Sequence, residues 1–286
     1  MLHVRSWATT IAAAGAAVLL ATGSAAAASW TIVSAPPTGQ NAELDAVSAV
    51  SGTDAWAVGT TSGELNGVGA KPLIDNWNGT TWTQATVPAT PGNTAYLRGV
   101  SASSTTDAWA VGHTQVNRED FAPLGLHWNG TAWSVAPSFA TALAGQIADG
   151  VADISPTNAW AIGGGLGSSN TGLVAQWNGS TWSRVTVPPP SSDGLNSSLD
   201  AISANGPNDV WIVGTFEDEI SPTFFPNETY SLHWNGTAWS TVASPDNGSP
   251  SELFSTSASP GASTVWAVGF SGTCCSAENP LVLQNG

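Results

Sequence analysis

A six-residue motif centred on one tryptophan recurs five times in this chain. It reads D-A-W-A-V-G at 54–59 and 107–112, N-A-W-A-I-G at 158–163, D-V-W-I-V-G at 209–214 and T-V-W-A-V-G at 264–269. The anchors Trp56, Trp109, Trp160, Trp211 and Trp266 are spaced by 53, 51, 51 and 55 residues. Four of the units continue to W-N-G-T-x-W or W-N-G-S-T-W, which places tryptophans at 77 and 82, 128 and 133, 177 and 182, and 234 and 239. A fixed period constrains the fold more than any other signal. One unit cannot bury its apolar face alone and must stack on the next.

Each full unit holds four strand-like runs, A to D. In the first they are 44–49, 54–59, 73–77 and 81–87. Trp56 and Val58 alternate with Ala55 and Ala57, the period of a strand. Strong helix formers are scarce while Gly, Ser, Thr, Asn and Val abound, so no helix is expected after the first 28 residues. Asn-Gly at 78–79, 129–130, 178–179 and 235–236 predicts type I′ hairpin turns between strands C and D. The same asparagines open N-x-[ST] sequons, read here as a by-product of the turn. Asp54, Asp107, Asn158 and Asp209 open strand B and are expected to accept backbone hydrogen bonds in the A–B turn. His127 and His233 stand where other units have Asn76 and Gln176, which suggests a hydrogen-bonding position.

About 50 residues and four short strands make one blade of a β-propeller. The expected fold is therefore all-β, a five-bladed β-propeller with four antiparallel strands per blade. The fifth unit is split. Residues 253–258, 265–269 and 281–284 supply strands A to C, and Ser29-Trp30-Thr31-Ile32-Val33 resembles the missing strand D. The last blade is then closed by the N-terminal strand, which removes a free edge.

Residues 1–28 read as a secretory signal peptide: Arg5, an apolar run over 8–22, then small residues up to Ala28. That run is shorter than the ~20 residues of a spanning helix, so no membrane span is expected after cleavage. Residues 29–286 form one domain. They hold Lys71, Arg98, Arg118 and Arg184 against 20 acidic residues. Such a charge disfavours nucleic acid as a partner. It suits a soluble secreted chain, expected to be a monomer.

The two motifs resemble those of secreted bacterial repeat proteins that are loosely kelch- or WD-like, over the whole of 29–286. The Gly-Gly of kelch repeats and the Gly-His and Trp-Asp of WD repeats are missing. The resemblance implies the fold and secretion, and no reaction.

Candidate site residues follow from the repeat register. The first turn of each innermost strand presents Asp45, Arg98, Asp149, Asp200 and Phe254, which would converge at one mouth of a central channel. Three carboxylates and a guanidinium in one concave place could hold a cation or a polar ligand, or form only a solvated vestibule. The B–C loops differ most between units and emerge on that face. The fourth carries Phe216, Glu217, Asp218, Glu219, Phe224 and Phe225, aromatics beside carboxylates. Ca²⁺ is a possible ligand there, and no other cofactor is implied. Cys274 and Cys275 are adjacent and, in an oxidising compartment, could form a strained vicinal disulfide. No nucleophile elbow, phosphate loop, dinucleotide fingerprint or zinc spacing is present.

The expectation is a secreted, non-catalytic protein that binds an extracellular carbohydrate or a cell-surface partner through the loop face and channel mouth. The alternatives are a polysaccharide hydrolase or lyase using Asp45, Asp149 and Asp200, and a structural or adhesive envelope protein.

Overall fold

The structure, a computed structural model, describes residues 30–38, 41–61, 69–115, 121–165, 172–190, 196–217, 226–245, 250–259, 261, 264–272 and 279–285. The chain divides into two units, Met1–Val33 and Ser34–Gly286. In the first unit the described residues 30–33 form no strand, and Trp30 and Ile32 are fully exposed.

The second unit is a series of antiparallel meanders. The first sheet is β1 (Ala42–Ser51), β2 (Asp54–Thr61), β3 (Lys71–Trp77) and β4 (Trp82–Gln84). The second is β5 (Thr94–Ser104), β6 (Asp107–Gln115), β7 (Phe121–Trp128) and β8 (Trp133–Val135). A helix, α1 (Pro137–Ala142), leads to the third: β9 (Gln146–Ser155), β10 (Asn158–Gly165), β11 (Leu173–Trp177) and β12 (Trp182–Val185). The fourth is β13 (Ser197–Gly206), β14 (Asp209–Glu217), β15 (Asn227–Trp234) and β16 (Trp239–Thr241). The fifth has three strands, β17 (Ser251–Ala258), β18 (Val265–Ser271) and β19 (Asn279–Asn285). Each sheet follows chain order from strand A to its outer strand, as the repeat implies.

Two expectations are corrected here. The strand read at residues 29–33 is not formed, since an isolated extended segment has no ladder to hold it. A helix does occur. Pro137 stands in its first turn, where a missing N–H costs nothing. Phe139 anchors it, packed edge-on against Trp182 with ring centroids 5.1 Å apart. The sequence marks it only as an insertion between the second and third units.

The core lies between successive sheets, and tryptophans build it. The strand-B tryptophan of one sheet is clasped by both hairpin tryptophans of the next. Trp56 meets Trp128 and Trp133 at 5.0 and 5.1 Å. Trp109 meets Trp177 and Trp182 at 5.0 and 4.9 Å, and Trp160 meets Trp234 and Trp239 at 4.9 and 5.1 Å. Edge-to-face pairs at such distances add to what burial alone contributes. The indole N–H groups of Trp56, Trp109 and Trp160, and of Trp133, Trp182 and Trp239, have no hydrogen-bond partner. These six rings therefore act as apolar bodies.

The first tryptophan of each hairpin works differently. Trp77, Trp128, Trp177 and Trp234 donate their indole N–H to the carbonyls of Gly52, Thr105, Pro156 and Pro207, at 3.0–3.2 Å. Each thus latches its hairpin to the A–B turn of its own sheet.

The hairpin turns also differ from the two-residue type I′ expectation. Pairing stops at Trp77↔Trp82, which leaves four residues in the loop. Gly79 takes φ +94°, but Asn78 serves through its side chain. Its Oδ1 accepts the amides of Thr80 and Thr81, both at 3.0 Å. Asn129, Asn178 and Asn235 do the same. The sequon hydroxyls of Thr80, Ser180 and Thr237 also donate to that oxygen. A local side-chain bond of this kind selects Asn for a structural reason.

Candidate functional site

Five bulges shape one end of the innermost strands. At that end, opposite the last glycine of the motif, the ladder between strands A and B skips one residue in every sheet. In the first sheet Leu44 faces Gly59 and Ala46 faces Val58, so Asp45 is left unpaired. The same shift isolates Arg98, Asp149, Asp200 and Phe254. A bulge re-aims one side chain and raises local twist, and it often accompanies a functional site. All five residues read from the repeat register as a channel-mouth set are thus the bulged ones.

The last glycine of the recurring motif is the partner of this bulge. The bulge brings a strand-A carbonyl onto the glycine's α-carbon. A Cβ on Gly59 would lie 2.0 Å from the Glu43 oxygen, and one on Gly214 would lie 2.1 Å from the Ser198 oxygen. No side chain can be placed there, so the glycine recurs wherever the bulge recurs. The repeated glycine was the one sequence signal that could have revealed the bulges.

Asp45, Arg98, Asp149 and Asp200 line one cavity of about 440 Å³, together with Glu43, Thr60 and Tyr96. Asp200 also lines a second cavity of about 520 Å³, beside Phe216, Glu217, Glu252 and Phe254. Phe254 is about half exposed. Phe216 and Glu217 are the last residues of β14 and not loop residues. In the second cavity Asn196 donates to Glu217 at 3.0 Å, and Asn227 donates to Glu252 at 2.6 Å. Asp218, Glu219, Phe224, Phe225, Cys274 and Cys275 lie outside the described residues.

The first of these cavities is short of positive charge. Arg98 Nη1 approaches Asp149 Oδ1 at 3.5 Å, with its side chain half exposed. Burial raises the pKa of Asp149, opposed by Arg98 and by the Gly164 amide, which donates to Oδ2 at 3.1 Å. Burial also raises Asp45, helped by Glu43 and opposed by Arg98. Asp200 is pushed up to about 6, first by burial. The Ser198 hydroxyl lowers it, while Asp149 and Glu252 raise it. His113 follows the motif glycine of β6 and is buried against Tyr96, with ring centroids 4.8 Å apart. Burial, then Arg98, lowers its pKa to about 4, so it is neutral near pH 7. Among the described residues, no group of three or more His, Cys, Asp or Glu is placed to hold a metal ion.

The Asx residues that open strand B belong to a second repeated feature. Each meets the strand-C residue beside the hairpin tryptophan: Asn76 to Asp54 at 3.3 Å, His127 to Asp107 at 2.7 Å, Gln176 to Asn158 at 3.5 Å, and His233 to Asp209 at 2.9 Å. The hydrogen-bonding role read for His127 and His233 has its partner here. The expected backbone partners of Asp107 and Asp209 are replaced by Ser103, Asn205 and Trp211 side chains. The first three A–B turns instead use serine hydroxyls, as in Thr53 N to Ser51 Oγ at 3.1 Å.

In the second sheet this pair extends to Asp153 of β9. The Ser103 hydroxyl donates to Asp107 at 2.6 Å, and the Ser103 amide donates to Asp153 at 3.0 Å. Burial, and next the Asp107 charge, push Asp153 up to about 8, so it carries a proton near pH 7. Burial opposes ionised Asp107 as well, but the bonds from His127 and Ser103 outweigh it and its pKa is lowered. Carboxylate sits between serine and imidazole, which is the wrong order to activate a nucleophile.

No known protein family matches the chain, and no curated protein matches it. Solved structures do. A fucose-recognising lectin from the fungus Aleuria aurantia, described as a six-bladed β-propeller, aligns with a TM-score of 0.51 at 11% identity, over 86% of this chain and 77% of the lectin. A polysaccharide (ulvan) lyase aligns with a TM-score of 0.45 at 10% identity, over 77% of this chain and 62% of its own. A xyloglucanase from Xanthomonas campestris aligns with a TM-score of 0.41 at 11% identity, over 79% of this chain and 44% of its own. At such identities the lectin alignment carries the architecture, that of a β-propeller.

Proposed function

We propose that this chain is a secreted five-bladed β-propeller that recognises an extracellular carbohydrate, without catalysis, at the mouth formed by its five bulges. The observation that carries this reading is the joining of two cavities through Asp200, one rich in carboxylates and one with an exposed aromatic face. Carboxylate and amide side chains offer the acceptors and donors that sugar hydroxyls use, and Phe254 offers a ring for an apolar sugar face. The amides of Asn196 and Asn227 already hold Glu217 and Glu252 in place, so the polar groups are fixed before a ligand arrives. The signal-like residues 1–28, the acidic composition and the likeness of the repeats to secreted bacterial proteins support secretion. None of the described helices is long and apolar enough to cross a membrane.

A second reading has one observation in its favour. Asp200, at about 6, holds its proton closer to neutrality than an ordinary carboxyl, as the general acid of a hydrolase or lyase does. A panel of plant, fungal and bacterial polysaccharides, with and without Ca²⁺, separates the two. Retention with no soluble product supports recognition. Release of oligosaccharides establishes the enzyme. Absence of both removes carbohydrate from the account.

A further inference from the structure

The two cavities joined through Asp200 hold an excess of acceptors that a neutral sugar leaves unmatched. Glu43, Asp45, Asp149, Asp200, Glu217 and Glu252 line them, against the single guanidinium of Arg98. Ionised carboxylates accept hydrogen bonds and donate none. After burial and the opposing Ser198 hydroxyl, Asp149 and Glu252 both raise Asp200, so these acids repel one another. A concave surface lined by one sign of charge gathers ligands of the other. One metal ion does not answer this arrangement, since among the described residues no three such groups are placed to hold it. The charge is spread instead over walls that enclose about 440 and 520 Å³.

A second observation is independent of the acids. Thr60 of β2 lines the first cavity and is only 4% exposed, yet its Oγ1 has no hydrogen-bond partner. It follows Gly59, the glycine opposite the bulge at Asp45, and pairs with Glu43 in the ladder. Buried hydroxyls are nearly always bonded. An unpartnered one in a cavity wall marks a place that a ligand's donor completes. The second cavity adds the half-exposed ring of Phe254, beside Phe270 with ring centroids 5.7 Å apart. A ligand that meets all three features carries several separated cationic donors on a body with an apolar face.

We propose that the mouth takes an oligosaccharide of amino sugars with free, protonated amines, of the β-1,4-linked glucosamine type. This rests on the carbohydrate reading above and specifies its ligand. An ammonium group has three donors and no acceptor, the complement of a wall of carboxylates and an open hydroxyl. Hydrogen bonds between ionised partners are about twice as strong as neutral ones. Repeated amines along a sugar chain match acids that are spread over two cavities. The pyranose rings supply the apolar face for Phe254 that a simple polyamine lacks. N-acetylation removes the charge, and a neutral hexose chain never had it, so both leave the acids unmatched.

Titration calorimetry on the full chain at mildly acidic pH and low salt tests this. The probes are a glucosamine hexamer, its fully N-acetylated form, the glucose hexamer of the same linkage, and a lysine hexamer. The glucosamine hexamer is expected to bind at least about tenfold more tightly than the other three, a difference that charge-assisted bonds supply. Asp45→Asn weakens it several-fold and Arg98→Gln tightens it. Asp54→Asn makes the same change of charge at the other end of β2, where the third sheet carries Asn158, and leaves it unchanged. Equal binding of a neutral or N-acetylated hexamer overturns the amine claim and leaves the carbohydrate reading standing. Equal binding of the lysine hexamer, or equal losses for Asp45→Asn and Asp54→Asn, reduces the effect to bulk charge and overturns the proposal. Binding of no sugar overturns it together with the carbohydrate reading.

Discussion

Replacing Trp160 by alanine tests the indole clasp as the main source of cohesion between sheets. Trp160 is fully buried and touches Trp234 at 4.9 Å and Trp239 at 5.1 Å. A buried indole removes about 150–250 Å² from water, which at ~25 cal/mol per Å² is worth roughly 4–6 kcal/mol. Alanine retains part of that and leaves a cavity, so a loss of about 3–5 kcal/mol is expected. In a domain of this size that lowers the melting temperature by roughly 6–20 °C. Because the indole N–H has no partner, Trp160→Phe deletes no hydrogen bond and costs distinctly less. Urea unfolding followed by circular dichroism gives both numbers. A loss below about 1 kcal/mol for Trp160→Ala, or equal losses for Ala and Phe, refutes the reasoning.

Other expectations follow from the bulges and the buried acids. Gly214→Ala drives a methyl onto the Ser198 oxygen and dissolves the bulge that aims Asp200. It lowers both stability and ligand retention, whereas Gly206→Ala, in open space, leaves retention intact. Asp153, at about 8, binds a proton in the folded state that it releases when unfolded above about pH 4. The folded state therefore holds more protons between those values, and stability falls as pH rises from about 4 to 8. Asp200 contributes in the same sense up to about pH 6. Asp153→Asn flattens the fall, by an amount on the order of a few kcal/mol, in melting curves taken at pH 5 and pH 8. An unchanged slope contradicts the assignment of that proton.

The repeat made the sheets legible, because Trp56 and its equivalents recur with a period that only stacked units explain. It also placed Asp45, Arg98, Asp149 and Asp200 at equivalent positions, and these line one cavity. What the sequence hid was backbone geometry. Nothing in the letters of strand A shows that Asp45 is a bulged residue; only the recurring Gly59 points to it, through an absent side chain. The Asn-Gly pairs suggested positive φ, while the structure uses the amide oxygen of Asn78, a choice the Trp77–Trp82 pairing imposes. The helix at 137–142 breaks the repeat and has no counterpart to learn from. Asp153 stands where the other units carry Ala49, Ala102, Ala204 and Ala258. That single departure was visible in the sequence, but its buried partner Asp107 comes from the neighbouring sheet and was not.

The measurement that bears most directly on the proposed recognition site is the affinity of a retained polysaccharide for the Asp45→Asn, Asp149→Asn, Asp200→Asn triple variant. All three carboxyls are held above their ordinary pKa, so neutral amides leave the fold as stable or more so. A loss of affinity of tenfold or more, with the melting temperature kept or raised, is the result expected of a mouth that binds. Unchanged affinity in a folded triple variant would move the site away from the bulges and contradict the account.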